Sequence, residues 1–476
     1  MLLETECMKK AITRQVYWEI PSTVDLEAFL RKYPATFVAR PKIDYFYSMI
    51  EHLSCGMDEQ DLDANAGFIN MNAEKMQMFN HNYKLYLDHL LNNWFILTDM
   101  NYIPGQKSKG FLINNYDGHK AEVKRIPVVD FKVRQKKKEE LALKAIESKK
   151  TEKKYNHLTK WFNPKLQIDA ESAKTMIEEM YPEQTGGIKG SRKRKPSDWA
   201  KRYKAIFAIN KFANQEFYYS VDDNVGRFHS NLTNIKREIR NHITYDGHKL
   251  VNVDIKNSQP LFSTLLLHKS FYQNQTALLN FYSFPTFLQL LLPPSSIPHN
   301  NTSTNTTIIM LVESLKKLTD KGFGEYENYV NSGEFYKKLA DAIYPTIPFD
   351  KQNMKTMIFT ILFSNNRFIG QPGAEPKKAF RDAFPNVYEL FKLIKMKNHR
   401  ALAHLLQRIE SKIMIEAVAS RIAKERPYLP FFTIHDSIAT TEGNEEYVAS
   451  IVKEEVSRLT GLNALLGMEK WQNNTV

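Results

Sequence analysis

The feature that most constrains this chain is a pair of aspartates, each placed at the end of a short run of β-branched and aromatic residues. Asp254 ends the run that begins at 251, and Asp436 follows the run at 431–434 after one histidine. Such runs predict strands, and a strand that stops at an aspartate brings its carboxylate to a sheet edge. Two such carboxylates suit two-metal phosphoryl chemistry, because Mg²⁺ prefers hard oxygen ligands. Most aspartates after a strand only form turns, so neither residue alone identifies a site.

Between the two aspartates lies a segment with a four-residue repeat. After Asp350, two lysines and two phenylalanines recur at this spacing, and they are Lys351, Lys355, Phe359 and Phe363. This spacing places all four on one slowly drifting face of a predicted helix. Lysines beside phosphates and a ring beside a base suit a nucleoside triphosphate. An amphipathic core helix has the same pattern, so that alternative stays open.

Taken in order, these segments resemble the family A DNA polymerases and the related single-subunit RNA polymerases of phages and mitochondria. In that superfamily, motif A is a strand ending in a metal-binding Asp, motif B is a fingers helix reading Arg-x3-Lys-x3-Phe-x3-Tyr-Gly, and motif C is a hairpin carrying His-Asp. A polar and basic stretch at 226–235 is similar to the DNA polymerase segment that touches primer and template. The resemblance covers roughly residues 200–460, and no motif matches before that range.

The resemblance implies a two-metal catalytic centre. Asp254 matches the metal ligand of motif A and Asp436 that of motif C, while Ile255 offers its backbone carbonyl as a further metal ligand. The implied cofactor is Mg²⁺, as two ions, with Mn²⁺ as an alternative. Lys355 matches the invariant motif B lysine that contacts the triphosphate, so it is implied to be catalytic beside the two aspartates.

The resemblance also implies how the substrates bind. The implied nucleotide-binding residues all lie on the predicted helix and are Lys351, Lys355, Phe359 and Phe363. The implied nucleic-acid-binding residues lie before motif A or near motif C and are Arg227, Arg237, Arg240, Gln407 and His435. A structural turn histidine remains the alternative for the last of these. The implied partners are a DNA template with a DNA or RNA primer, and nucleoside triphosphates.

Departures from the family pattern bear on the choice of sugar. Lys351 stands where the family usually has Arg. A guanidinium that can make two parallel hydrogen bonds to phosphate is thus replaced by an ammonium, which acts as a point charge. Phe363 replaces the motif B Tyr, and no residue after Asp254 matches the Glu with which the DNA enzymes exclude a ribose 2′-hydroxyl. Motif C reads His-Asp-Ser at 435–437, as in the RNA polymerases, whereas the basic stretch lies close before motif A, as in the DNA enzymes. The sequence therefore favours DNA synthesis over RNA synthesis by a small margin.

Composition agrees with a nucleic-acid partner. The formal net charge of +13 and the pI near 9.2 suit a polyanion, and 12% aromatic residues provide rings for stacking on bases. A merely basic soluble protein is the alternative. Two cysteines, Cys7 and Cys55, give neither a disulfide framework nor a zinc cluster, which fits a reducing compartment. We find no transmembrane run or signal-peptide core in the sequence, so it predicts a cytoplasmic protein without a membrane partner.

The first half of the chain carries weaker signals. The acidic pair at 25–27 is predicted to be a capped helix start, so the sequence predicts no proofreading exonuclease. Residues 132–160 have a charged helical pattern, which is either a solvated helix or a thumb-like helix that follows phosphates. Basic residues interleaved with aromatics at 191–204 follow a glycine-rich joint and suit a backbone clamp, with a mobile linker or a localisation signal as alternatives.

The sequence as a whole predicts an α+β fold of the right-hand polymerase type: a palm with a small antiparallel sheet, helical fingers and thumb, and an N-terminal region of unknown fold. The predicted bounds are 1–130 for the N-terminal region, 131–220 for the thumb-like or clamping region, 221–269 for the palm with motif A, 270–400 for the fingers with an insertion and motif B, and 401–476 for the palm with motif C. The predicted function is a DNA polymerase without proofreading. A single-subunit RNA polymerase or primase, and a non-catalytic nucleic-acid-binding protein on a polymerase scaffold, are the alternatives.

Overall fold

A computed structural model describes residues 15–55, 68–71, 73–100, 109–114, 122–181, 198–272, 314, 317, 323–344 and 349–472. The fold is α+β, as predicted. The chain divides into two compact units, the first formed by Met1–Ser220, Ser230–Gly247 and Gln472–Val476, and the second by Val221–His229 and His248–Trp471. The glycine-rich joint and the basic residues at 191–197 lie outside the described residues.

The described strands are short, and their bounds are as follows: β1 Tyr17–Pro21, β2 Ile69–Asn70, β3 Ile96–Thr98, β4 Gly110–Ile113, β5 Val123–Pro127, β6 Leu166–Ile168, β7 Tyr219–Val221, β8 Phe228–Ser230, β9 Ile243–Tyr245, β10 His248–Ile255, β11 Phe431–Ile434, β12 Ser437–Thr441 and β13 Leu466–Lys470. Every strand pair whose register is resolved in this part of the chain is antiparallel.

Helices make up most of the remaining described structure. Those before Gly247 are α1 Leu26–Lys32, α2 Ile43–Cys55, α3 Ala73–Phe79, α4 Tyr83–Asn92, α5 Phe131–Lys154, α6 Asn156–Thr159, α7 Ala170–Met180, α8 Asp198–Ala213, α9 Asn231–Asn234 and α10 Arg237–Arg240. Those after it are α11 Ser258–Leu265, α12 Lys269–Tyr272, α13 Gly324–Asn331, α14 Phe335–Ile343, α15 Lys351–Phe363, α16 Glu375–Ala383, α17 Pro385–Ile394, α18 Ala401–Ser411, α19 Ala419–Glu425 and α20 Glu445–Thr460. A 3₁₀ turn, Asn366–Gly370, follows α15, and a π-helical segment, Lys412–Val418, joins α18 to α19.

The first unit contains a buried aromatic core with one central ion pair. The Trp18 indole donates a hydrogen bond to Asp44 at 2.7 Å, and the Lys137 ammonium lies 3.8 Å from the centre of the same ring. Lys137 lies on α5 and is buried, and its ammonium also donates to the Glu51 carboxylate at 2.6 Å, so the buried charge has a partner.

The charged helix predicted at 132–160 is confirmed, because α5 and then α6 occupy this range. The predicted helix cap is also confirmed, because Asp25 accepts a hydrogen bond from the Ala28 backbone at the start of α1.

The second unit is organised around an antiparallel sheet with the strand order β11-β12-β10-β13. Along β10 the side chains alternate: Val253 and Ile255 are buried, whereas Asn252 and Asp254 are partly exposed. Helix α20 packs against β10 and β12. Asp254 and Asn252 therefore lie on the opposite side of the strand from the buried Val253 and Ile255.

Helix α15 begins and ends close to where the four-residue repeat predicts. Asp350 caps its first turn by accepting hydrogen bonds from the backbone of residues 352 and 353. The buried residues of α15 are Met354, Met357, Ile358, Ile361 and Leu362. The repeated lysines and phenylalanines lie on the more exposed face of this amphipathic helix, and whether they bind a nucleotide stays a prediction.

No helix within the described ranges has both the length and the apolar character that a membrane crossing requires.

Candidate active site

Asp254 lies on a strand between two neighbours that shape the space around its carboxylate. Its cross-strand partners are Ser437 on β12 and Gly467 on β13. A Cβ atom at position 467 would lie 2.7 Å from Asp254 Oδ1, which is closer than atoms tolerate. The absence of a side chain at Gly467 therefore makes the room that the Asp254 carboxylate occupies.

Asp436 lies in the two-residue turn that joins β11 to β12. The preceding residue, His435, has a φ of 54°, in the left-handed region that residues other than glycine rarely adopt. Ser437 Oγ donates to the Ile434 carbonyl at 2.8 Å and closes the turn. A strained residue of this kind is often found at a functional site, where the surrounding structure holds it in place.

A second strained residue brings a hydroxyl to Asp436. Asn257, between β10 and α11, has a φ of 57°, and the chain turns there from the sheet into the helix. The next residue, Ser258, places its Oγ 2.8 Å from Asp436 Oδ2. The segment after β10 thus reaches Asp436, and Asp254 lies one residue before the end of that strand.

A third carboxylate, Glu410, shares the Ser258 hydroxyl with Asp436 and is 1% exposed. It accepts hydrogen bonds from Arg227 Nη2 at 2.5 Å, Gln259 Nε2 at 2.5 Å and Ser258 Oγ at 3.1 Å. Burial and, after it, the charge of Asp436 raise the pKa of Glu410 to about 6, and the ion pair with Arg227 opposes this rise.

Sequence analysis gave Glu410 no role, although one signal was present. The apolar face of α18 contains Leu402, Leu406 and Ile409, and a glutamate beside them occupies a core position. A charged residue at a core position is rarely found without a partner, so this pattern was a signal that Glu410 is paired.

Sequence analysis also gave no role to Tyr336 of α14. Burial, together with the nearby charge of Asp436, raises the pKa of Tyr336 to about 12.

The predicted nucleic-acid contacts fall in different places. Arg227 forms the ion pair with Glu410, and its backbone N–H donates to Asp222 at 3.0 Å. Gln407 is partly buried on α18, one turn before Glu410. Of the other three predicted residues, His435 lies in the turn between β11 and β12, whereas Arg237 and Arg240 belong to the first compact unit, on the short helix α10. Whether any of these residues touches nucleic acid stays a prediction.

The predicted nucleotide-binding residues share one accessible face of α15. Phe359 is 44% exposed, and its ring stacks on that of Phe363 with 5.5 Å between centroids and 14° between planes. Lys351 is exposed, and Lys355 is partly buried one turn further along. Two cations followed by a stacked aromatic pair form a surface on which a polyphosphate and a base can bind together.

Two buried lysines, which sequence analysis also missed, hold the C-terminal end of α15. Lys395 donates to the carbonyl of Ile361 at 2.6 Å, and Lys377 donates to the carbonyl of Asn365 at 2.8 Å. Both amine groups also reach Ser364, which directly follows Phe363. Their N–H groups satisfy carbonyls that the helix leaves unpaired at its C-terminus. These lysines therefore fix the turn that follows the stacked phenylalanines.

The two buried amines predict that the protein becomes more stable as the pH rises. Burial lowers the pKa of Lys395 to about 7 and that of Lys377 to about 8, both from an ordinary value of 10.5. Between these values and 10.5 the unfolded chain binds protons that the folded chain has released, so the free energy of unfolding rises with pH. We expect Lys395→Met to reduce this slope by up to about 1.4 kcal/mol per pH unit.

Urea unfolding at about pH 7, 8 and 9 measures this slope. The matched control is Lys392→Met, because Lys392 is exposed on the helix that precedes Lys395. A slope unchanged by Lys395→Met would show that the amine titrates at its ordinary pKa despite its burial.

The donor atoms of the site fit magnesium better than a softer metal. Within the described ranges, no three or more histidine, cysteine, aspartate or glutamate side chains are grouped so that they could hold a metal ion. Asp254 and Asp436 supply carboxylate oxygens, and the Ile255 carbonyl follows the first of them. Mg²⁺ is commonly held by one or two carboxylates together with water and substrate phosphates, so this donor set is sufficient for it.

Comparison with known proteins adds little to this description. No protein-family model matches the sequence, and no curated protein matches it. Among solved structures, the chain is similar to the POL domain of Pol1 from M. smegmatis in complex with DNA primer-template and dNTP, with a TM-score of 0.29 and 9% sequence identity over 71% of this chain and 73% of that chain. A TM-score of this size does not establish a common fold.

Proposed function

We propose that this protein is a template-directed nucleotidyltransferase, and more specifically a DNA polymerase of the family A type without a proofreading exonuclease. One observation carries the proposal: Asp254 on β10 and Asp436 in the turn before β12, 182 residues apart in the chain, are brought to one region of an antiparallel sheet, because β10 pairs with β12 and Asp254 lies opposite Ser437. The serine that holds Asp436 is the first residue of α11, which follows the strand of Asp254 after a two-residue turn.

In this proposal Asp254 and Asp436 hold two Mg²⁺ ions, with the carbonyl of Ile255 as a further ligand. When bound, divalent ions activate a primer 3′-hydroxyl and neutralise charge on the triphosphate. The protein's own part is to hold both carboxylates in place, which it does through Gly467 and Ser258. The two carboxylates then need to move little when charge develops in the transition state.

The exposed face of α15 binds the incoming nucleotide in this proposal. Lys351 and Lys355 neutralise the triphosphate, and Lys355 gives a proton to the leaving pyrophosphate. Phe363 stacks beneath the templating pair, with Phe359 stacked on Phe363 in turn. The buried lysines at the end of the helix keep these rings oriented, and base pairing itself supplies the sequence information.

The proposed architecture assigns residues 221–269 and 401–476 to the palm, 270–400 to the fingers and 131–220 to a thumb-like or clamping region. Residues 1–130 remain without an assigned role. The residues proposed to contact primer and template are Arg227, Arg237, Arg240, Gln407 and His435. Such contacts hold the duplex in register without reading its sequence.

RNA synthesis is the main alternative, as an RNA polymerase or a primase. It is favoured by Phe363 in place of a tyrosine and by Ser437 after the motif C aspartate. It is disfavoured by the position of the basic stretch close before motif A. A non-catalytic scaffold that only binds nucleic acid is the second alternative, and the presence of both aspartates and Lys355 disfavours it.

Extension of a labelled primer on a DNA template with Mg²⁺ tests the proposal. We expect template-dependent extension, with deoxynucleotides incorporated in preference to ribonucleotides. Preference for ribonucleotides would replace the DNA polymerase by the RNA polymerase alternative. Tight template binding without extension from either nucleotide pool would contradict the primer-extending function. It would leave de novo priming or the non-catalytic scaffold as the remaining explanations.

A further inference from the structure

One serine hydroxyl lies between two carboxylates of the proposed active site. Ser258 Oγ is 2.8 Å from Asp436 Oδ2 and 3.1 Å from Glu410 Oε2. A hydroxyl has a single proton to donate, and an ionised carboxylate can only accept. When both acids are ionised, Ser258 can therefore donate to only one of them at a time.

The surroundings of the two carboxylates determine which one receives the proton. Glu410 also accepts from Arg227 and Gln259, so it remains satisfied when Ser258 donates to Asp436. A cation bound to Asp436 withdraws electron density and weakens that carboxylate as an acceptor. The proton of Ser258 can then turn to Glu410, and Asp436 presents its oxygen lone pairs to the metal.

We propose that Glu410 is a positioning residue that acts through Ser258 on Asp436 and so increases the affinity of the site for a divalent cation. This inference rests on the proposed function, because it takes Asp436 to be a metal ligand. Partners of metal ligands commonly act in this way by orienting the ligand, and their loss weakens metal binding by about 10- to 100-fold. Glu410 is suited to the role because it is fully buried and its charge is balanced by Arg227.

Mn²⁺ binding to the full chain, followed by electron paramagnetic resonance without nucleic acid or nucleotide, tests the inference. We expect Asp436→Asn to remove one bound ion and Glu410→Gln to weaken Mn²⁺ binding by about 10-fold. The new amide offers its oxygen to Arg227 and its NH₂ to Ser258, so the serine can no longer turn to it. Ser258→Ala removes the hydroxyl that competes with the cation for Asp436, so it should not weaken binding, and adding Glu410→Gln to Ser258→Ala should leave the affinity of Ser258→Ala unchanged.

Two further variants separate positioning from charge and from folding. Glu410→Asp keeps the charge but withdraws the carboxylate from Ser258, so we expect it to weaken Mn²⁺ binding as well. It also provides a second variant if Glu410→Gln does not fold. Glu455→Gln is the matched control, because Glu455 is a buried carboxylate that accepts from Arg421 and Arg458 in the same unit. We expect Mn²⁺ binding by this control to equal that of the unmodified protein.

The possible outcomes distinguish this inference from the proposed function. If Asp436→Asn removes an ion but Glu410→Gln and Glu410→Asp leave Mn²⁺ affinity unchanged, the inference is wrong and the proposed function stands. If Glu410→Gln weakens binding equally with and without Ser258, the residue acts as a remote charge and the positioning role is wrong. If Asp436→Asn leaves Mn²⁺ binding unchanged, both the inference and the metal site fail.

Discussion

Replacing Asp436 by alanine is expected to abolish template-dependent primer extension while leaving affinity for primer–template within a fewfold, and Asp254→Ala should do the same. A metal-bound carboxylate supports several kcal/mol of transition-state stabilisation, so the rate should fall by about 10³-fold or more. Both side chains are partly exposed, and neither contributes apolar packing to the core. Single-turnover incorporation and template binding, measured on the same preparations, check the prediction.

Asp341→Ala is the control for this experiment, because Asp341 is an exposed carboxylate on α14 of the same unit. It changes the net charge by the same amount without touching the sheet. Extension that survives both aspartate substitutions would exclude the proposed catalytic centre. Loss of template binding together with a lower melting temperature would instead indicate a damaged fold.

Gly467→Ala should lower the rate of incorporation by about 10²-fold although no catalytic group is removed, because displacements near 1 Å at an active site have effects of this size. The alanine Cβ would lie 2.7 Å from Asp254 Oδ1 and 3.4 Å from its Cγ, so the carboxylate must move. The φ of Gly467 is outside the left-handed region, so an alanine fits the backbone without strain. We therefore expect the melting temperature to stay the same or to rise slightly, since glycine weakens a strand interior.

Gly370→Ala is the matched control, because a Cβ there meets nothing within 4 Å and the backbone is equally permissive. The proposal is supported if Gly467→Ala lowers the rate of incorporation and keeps its melting temperature. Gly370→Ala should change neither quantity. Full activity of Gly467→Ala would mean that the Asp254 carboxylate does not need the position seen here.

The amino-acid sequence by itself determined the elements that carry the site. The run before Asp254 and the run before Asp436 are both strands, and the four-residue repeat from Lys351 to Phe363 is a helix with that face accessible. These features could be predicted because they depend on local periodicity, which a strand or a helix imposes on neighbouring residues. The helix start at Asp25 could be predicted for the same reason.

Only the tertiary structure decided what surrounds the two aspartates. Glu410 is 152 residues from Ser258 in the chain, and Asp436 is 178 residues from the same serine. The position of Gly467 against Asp254 depends on the register of two strands, and a shift of one residue would turn the opposite side chains toward the carboxylate. Local pattern places each residue on an element, whereas the partner of a buried charge is chosen by packing between elements far apart in sequence. For that reason the carboxylates could be predicted from the sequence, but the residues that hold them could not.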